Sequence, residues 1–318
     1  VLGFLFFRKL DIRYNNKWIL RMVIDGILPV NKPEGVTSFE IVKRVRKATG
    51  IKKVGHTGTL DKFASGLLLV CVGRATVLQQ LFMEYDKTYI AALMLGKETE
   101  TLDPYGKVVE ECEVGRYSDD EIKRVFSEFT GKITQIPPSF SAIHHKGERL
   151  YKLALQGKKI LPEPRKVEVK DIKLIENKTP EIIFEATVSK GTYIRALARD
   201  IARKLGTCGY LISLKRLRIG NFMVENALGY NLIDGISVRE SIIPINEALE
   251  EMPCLEVSSE RIRSVINGVP LDNIADVGQL SNLPEGFFRI VFRDTLIAVG
   301  IKEGKKCRYF RVIVTDPL

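Results

Sequence analysis

Apolar positions recur along this chain at two spacings, and each spacing predicts a different element. Ile182, Phe184, Ala186 and Val188 alternate with Glu181, Glu185 and Thr187, the period of a half-buried strand. Just beyond, Ile194, Leu197, Ala198, Ile201 and Leu205 follow the period of a helix, which Gly206 stops. Ile41, Val42 and Val45 form the buried stripe of an earlier helix, with Lys43, Arg44, Arg46 and Lys47 crowding its other side. Its start is written into the sequence. Thr37 caps it, Glu40 completes a capping box, and Val36 staples to Ile41. Ser118 with Glu121 makes a second box, and Gly131 closes that helix. Leu67 to Val72 is a continuous apolar run between Gly66 and Gly73, which suits a central strand.

Around these, Gly26 to Asn31 reads as a strand leading into the turn Lys32-Pro33-Glu34-Gly35, and Thr88 to Leu95 as another strand. Gly96 to Val109 is polar and reads as an ordered loop or hairpin. Strands and helices mix without regular βαβ alternation, so the fold class is α+β. Glu250 to Cys254 reads as a linker. After it come a short helix, Arg261 to Gly268, and strands within Phe287 to Ile301 and Arg308 to Val314, the makings of a small β-rich module. The expected division is an N-terminal extension at 1–21, a main domain at 22–250 and a small domain at 251–318. The stretch at about 137–165 carries Lys146, Arg149, Lys152, Lys158, Lys159 and Arg165 around Tyr151. Basic residues interleaved with an aromatic suit contact with RNA, and a plain exposed helix fits the same pattern.

The chain has 318 residues, room for one large domain and a small one, and its 45% hydrophobic content supports a true core. Lys and Arg exceed Asp and Glu by 49 − 39 = 10, a balance that attracts nucleic acid or an anionic surface. No apolar run is long enough to span a bilayer, so no membrane is expected. The five cysteines, Cys71, Cys112, Cys208, Cys254 and Cys307, are scattered and form no C-x-x-C pair. That predicts reduced thiols in a cytoplasm and no zinc site. His56, His144 and His145 lack any H-E-x-x-H spacing. Leu2 to Phe7 is apolar, but Arg8 and Lys9 follow it, the wrong order for a secretory signal. Met22 precedes a clean strand start, so the stretch before it is expected to be an extension or a start-site artefact.

The most informative run is Gly55-His56-Thr57-Gly58-Thr59-Leu60-Asp61-Lys62-Phe63-Ala64-Ser65-Gly66-Leu67-Leu68. It puts a carboxylate between a Gly-rich loop and an apolar strand in a basic protein. Phosphates repel such an acid, so Asp61 serves chemistry better than affinity. No second carboxylate or metal cluster accompanies it, which disfavours a glycosidase or a metal nuclease.

This run resembles the catalytic motif of the TruB family of tRNA pseudouridine synthases. Other segments resemble that family in the expected order: Asn31 to Ser38, Lys87-Thr88-Tyr89, Gly96 to Gly106, Pro137 to Ala142, Ser189 to Arg195, and Leu214-Lys215-Arg216-Leu217. The likeness runs from Gly26 onward, and the tail resembles a PUA domain, an RNA-binding pseudobarrel. It departs at Lys62, where the family usually has Pro, and at His144 and Leu155, where the RNA-binding insertion is usually basic.

The resemblance implies a mixed, mainly antiparallel catalytic sheet with an RNA-binding insertion at about 137–165. It implies isomerisation of the T-loop uridine at tRNA position 55, after the base is flipped out. The N1–C1′ bond breaks and the uracil rejoins through C5. Nothing is added or lost, so no cofactor or metal is required. The resemblance assigns Asp61 as the essential carboxylate, attacking C1′ or taking a proton from C2′. Arg195 is its cationic partner and Tyr89 stacks on the uracil. Leu214 floors the pocket, His56 enters the T loop, and Lys32 and Tyr193 complete the substrate-binding set. The expected partner is the tRNA T arm, bound by a monomer without protein partners. A tRNA-folding module and a guide-RNA-dependent relative are the other readings. The insertion speaks against the second, because the guide-dependent relatives lack it.

Overall fold

The structure is a computed structural model that describes residues 25–140, 162–275, 277–293 and 295–314, with the backbone of two short strands at 144–145 and 148–149. Residues 1–21, and most of the basic stretch expected as the insertion, including Tyr151, His144's side chain and Leu155, lie outside the described residues.

In chain order the first elements are β1 (Gly26–Lys32), α1 (Ser38–Thr49), β2 (Val54–His56), β3 (Ser65–Val72), α2 (Gln79–Met83), β4 (Lys87–Leu95), β5 (Lys97–Thr99) and β6 (Val108–Glu111). Then come α3 (Asp119–Phe129), β7 (Gly131–Gln135), β8 (His144–His145), β9 (Glu148–Arg149), β10 (Arg165–Lys178), β11 (Glu181–Val188), α4 (Ile194–Lys204) and β12 (Gly209–Ile219). Three two-residue strands follow, β13 (Phe222–Met223), β14 (Leu228–Gly229) and β15 (Ile243–Pro244). The C-terminal strands are β16 (Cys254–Glu256), β17 (Gly286–Phe292), β18 (Thr295–Glu303) and β19 (Lys306–Val312).

A single large sheet runs in the order β14-β1-β3-β12-β4-β11-β10-β7, and β16 to β19 form a separate four-stranded sheet. Pairing in the large sheet is antiparallel except at β1–β14 and β3–β12. The fold is therefore α+β, a mixed and mainly antiparallel sheet with a small β-rich module after it. The apolar run of β3 is explained by its two faces. Leu67, Leu69 and Cys71 enter one cluster with Phe82 and Ile219, while Leu68, Val70 and Val72 enter another with Ile41, Val42 and Val45 of α1. On β11, Ile182, Phe184, Ala186 and Val188 pack against Ile122 and Phe126 of α3 and Leu197 and Ile201 of α4. Both capping boxes form, at Thr37 with Glu40 and at Ser118 with Glu121. The helix after Ser118 ends at Thr130, and Gly131, with φ of 94°, opens β7 instead of closing the helix. Val291, Leu296, Val299 and Ile313 of the C-terminal part share a cluster with Ile27 and Leu67.

Two features correct or extend the sequence reading. Cys112 and Cys208 form a disulfide, so these two are not the free thiols expected; Cys71, Cys254 and Cys307 are free. The partners stand 96 residues apart, and only the approach of the segment after β6 to the start of β12 brings their Cα atoms to 5.7 Å. The second feature is the crossing of β3 and β12, which pair only at Ser65↔Lys215 and Gly66↔Arg216. Gly66 has φ of +105°, and a Cβ there would sit 2.3 Å from the Arg216 carbonyl oxygen. Gly66→Ala is thus expected to lower stability by about 2–4 kcal/mol through overpacking and strain. Chemical denaturation checks this, and a variant as stable as wild type removes the close approach from the argument.

Candidate active site

Asp61 sits in the loop between β2 and β3, and neighbouring backbone fixes that loop from both sides. The Ser38 hydroxyl donates to the Leu60 carbonyl at 3.1 Å and accepts from the Leu60 N–H at 2.9 Å. Gly35 N–H donates to the Lys62 carbonyl at 2.8 Å, and Ala64 N–H to that of Asp61 at 3.2 Å. The turn after Asp61 therefore closes with Lys62 in the place where the sequence reading noted an absent proline. The capping box that starts α1 is what aims Ser38 at this loop.

Lys32, at the end of β1, is fully buried and spends its ammonium group on the carbonyls of Pro33, Val36 and Ala64. Burial lowers its pKa from 10.5 to about 8, against the opposing pull of Asp61. A folded pKa below the ordinary one means that the unfolded chain holds more protons between pH 8 and 10.5. The Lys32 contribution to stability therefore rises with pH across that window, and its full cost is present below it. Lys32→Met should abolish this rise, so the gap in unfolding free energy between wild type and variant should move with pH in the wild type's favour. Urea titrations across the window measure it, and a gap independent of pH contradicts the assignment.

Arg195 lies in the first turn of α4 and is 4% exposed, whereas the Asp61 side chain is 35% exposed. Its Nη2 donates to Asp61 Oδ1 at 3.3 Å, and its Nε lies 2.9 Å from Oδ2. The second contact is an ion-pair contact without hydrogen-bond alignment. Nη1 donates to the Thr101 carbonyl at 2.6 Å and to Asp103 Oδ2 at 3.3 Å, and Nη2 also reaches the Phe140 carbonyl at 3.1 Å. A cation at a helix N-terminus opposes the helix dipole, and two carboxylates offset that here. The acid stays open to solvent while its partner is sealed, so a ribose can approach the carboxylate without displacing the guanidinium.

Tyr89 on β4 and Leu214 on β12 are buried in the same cluster as Leu60, Phe63 and Ala64, the neighbours of Asp61. The structure thus brings Arg195 and Lys32 near Asp61, with Tyr89 and Leu214 in the apolar cluster formed by the acid's neighbours. His56 is half-buried on β2, its Nδ1 accepting from Gly58 N–H at 3.3 Å. Tyr193 precedes α4, and Gln135 holds its backbone by donating to its carbonyl at 3.1 Å and accepting from its N–H at 2.8 Å.

Two residues here carry roles the sequence reading did not give them. Asp103 was read only as part of a polar loop. Its Oδ1 accepts from Tyr105 N–H at 3.0 Å and from the Thr101 hydroxyl at 2.6 Å, a local turn that frees Oδ2 for Arg195. Arg216 occupies an inward position of β12, two residues after Leu214, between exposed Lys215 and half-buried Leu217. A charged residue on the apolar phase of a strand was the signal for it. Glu110, Cys112 and Cys208 have ligand atoms within 4.8 Å of one another, but the disulfide leaves no thiolate there to hold a metal.

The site thus pairs a partly exposed acid with a sealed guanidinium, beside a buried tyrosine on a mixed sheet. A crystal structure of a Cbf5–Nop10–Gar1 complex superposes with a TM-score of 0.68 at 25% identity, covering 91% of this chain and 85% of that one. The family described as TruB family pseudouridylate synthase (N terminal domain) matches residues 46–194. Two relatives named tRNA pseudouridine synthase B are similar at length. The protein of Clostridium kluyveri is 40% identical over 89% of this chain and 93% of its own, and that of Thermosipho melanesiensis 42% identical over 76% and 79%. The chain belongs to the TruB family of pseudouridylate synthases and is an isomerase. Among the described residues no helix is long and apolar enough to cross a membrane.

Proposed function

We propose that this chain is a stand-alone tRNA pseudouridine synthase that isomerises the T-loop uridine at tRNA position 55. The observation that carries the reading is the Asp61–Arg195 pair, with a partly open carboxylate on a sealed guanidinium. The names and 36–42% identities of the tRNA pseudouridine synthase B relatives support tRNA as the substrate. They exceed the 25% shared with the Cbf5 of a multi-protein assembly, which favours action without guide or partner proteins.

In this reading the T-loop uridine swings out of its stack, at a cost of a few kcal/mol that is smallest in a loop. Tyr89 stacks on the uracil and Leu214 floors its pocket. His56 enters the loop where the base has left. Asp61, oriented by Arg195, acts on the sugar at C1′ or at the C2′ proton. The N1–C1′ bond breaks, the uracil turns, C5 bonds to C1′, and the C5 proton leaves to solvent. Lys32 holds the catalytic loop through Ala64, and Tyr193 lines the approach of the RNA. Residues 137–165 grip the T arm, and residues 251–318 form a PUA-like RNA-binding module beyond a boundary near 250. The enzyme works as a cytoplasmic monomer and needs no cofactor.

Purified protein alone, incubated with an unmodified tRNA transcript and with a bare T-arm hairpin, tests the reading. Pseudouridine at position 55 in both is the expected result. Conversion at another position, or only with added guide RNA, overturns it.

A further inference from the structure

Among the described residues Arg216 is one of the largest fully buried side chains, at 2% exposure, and it forms no ion pair. That is costly, because a buried cation lacking a carboxylate is worse for stability than an apolar residue of the same volume. Burial lowers the pKa of both Lys32 and Lys87, and the Arg216 charge pushes each further in the same direction. What it achieves is geometric. Its Nε donates to the Leu67 carbonyl at 2.7 Å, Nη2 to the Gly58 carbonyl at 3.3 Å, and Nη1 to the Tyr89 hydroxyl at 3.4 Å. The guanidinium carbon also stands 5.9 Å from the centre of the Tyr89 ring, at the outer edge of cation–π range.

Gly58 precedes Asp61 and Leu67 follows it, so one side chain ties both ends of the acid's loop to the strand that carries Leu214. The same side chain holds the tyrosine. β3 and β12 separate after Gly66↔Arg216, and the guanidinium fills the opening where the backbone ladder ends. We propose that Arg216 is a positioning residue that sets the Asp61 loop and the Tyr89 ring relative to each other through Gly58, Leu67 and the tyrosine hydroxyl. It does not touch the reacting atoms. The proposal rests on the functional reading above for the roles of Asp61 and Tyr89.

Hydrogen exchange of the free protein and turnover of tRNA together test it, using Arg216→Met and the conservative Arg216→Lys. Without RNA, amides in 57–66 of Arg216→Met should exchange about tenfold faster or more, while α1 and β16 to β19 stay as protected as in wild type. With RNA, kcat should fall about 100-fold and KM should stay within about threefold. Arg216→Lys should fall between, and added guanidinium should restore part of the rate lost in Arg216→Ala. Loop protection equal to wild type overturns the proposal, whatever the turnover. So does faster exchange throughout the protein in both Arg216→Lys and Arg216→Met, since that marks a merely structural role. If wild type makes no pseudouridine yet the loop responds as expected, the function falls and the positioning role stands.

Discussion

Asp61→Asn is expected to reduce pseudouridine formation about 10⁴-fold or more while leaving RNA affinity within about threefold of wild type. The argument is steric equality and chemical difference. Asparagine keeps the size of the side chain and an oxygen that accepts from Arg195 Nη2, so the loop held by Ser38, Gly35 and Lys32 has no reason to move. It loses the negative charge, and with it both routes to the glycosidic bond, since an amide neither attacks C1′ nor takes a proton from C2′. Affinity should survive because an acid in a basic protein repels phosphate and adds nothing to binding. Removing it can only ease the approach of the backbone. Release of tritium from C5-labelled uridine measures turnover, and filter binding measures affinity. Turnover within about tenfold of wild type sinks the assignment of Asp61. Loss of binding in step with turnover instead makes the residue part of the fold.

Local rules exposed most of the elements around this acid. The caps at Thr37 and Ser118, the alternation through Ile182 to Val188 and the apolar run of β3 depend only on neighbours within one element, and each stands where the sequence put it. β10 escaped notice because its burial follows no clean alternation: bulges shift its register against β11 between Val169 and Asp171 and between Leu174 and Glu176. The Cys112–Cys208 bond escaped because nothing local marks a pair 96 residues apart. Asp103 was hidden by its own turn, since an Asp before Pro104 and Gly106 reads as loop chemistry and its second oxygen's task is visible only in three dimensions. The run from Gly55 to Leu68 had the opposite character. Its Gly-rich loop, acid and strand are contiguous, so the resemblance that implies its chemistry is visible without the geometry.

Replacing Arg195 should be nearly as damaging as replacing Asp61, and the form of the damage separates charge from shape. Arg195→Lys keeps the charge. An ammonium is a single point with no planar fork, and it cannot span Asp61, Asp103, the Thr101 carbonyl and the Phe140 carbonyl at once. The expected loss in kcat is about 10²- to 10³-fold, with KM little changed, because the loop loses orientation and not the acid itself. Arg195→Met removes the charge as well. It leaves Asp61 and Asp103 facing a shared space with no cation between them, so both carboxylates lose the group that orients them. The loss in kcat should then exceed that of Arg195→Lys, at about 10³-fold or more, with RNA affinity within about threefold of wild type. Single-turnover assays and filter binding measure the two. Equal losses in Arg195→Met and Arg195→Lys mean that the shape of the fork matters and its charge adds nothing. A near wild-type rate in Arg195→Lys denies the fork even that.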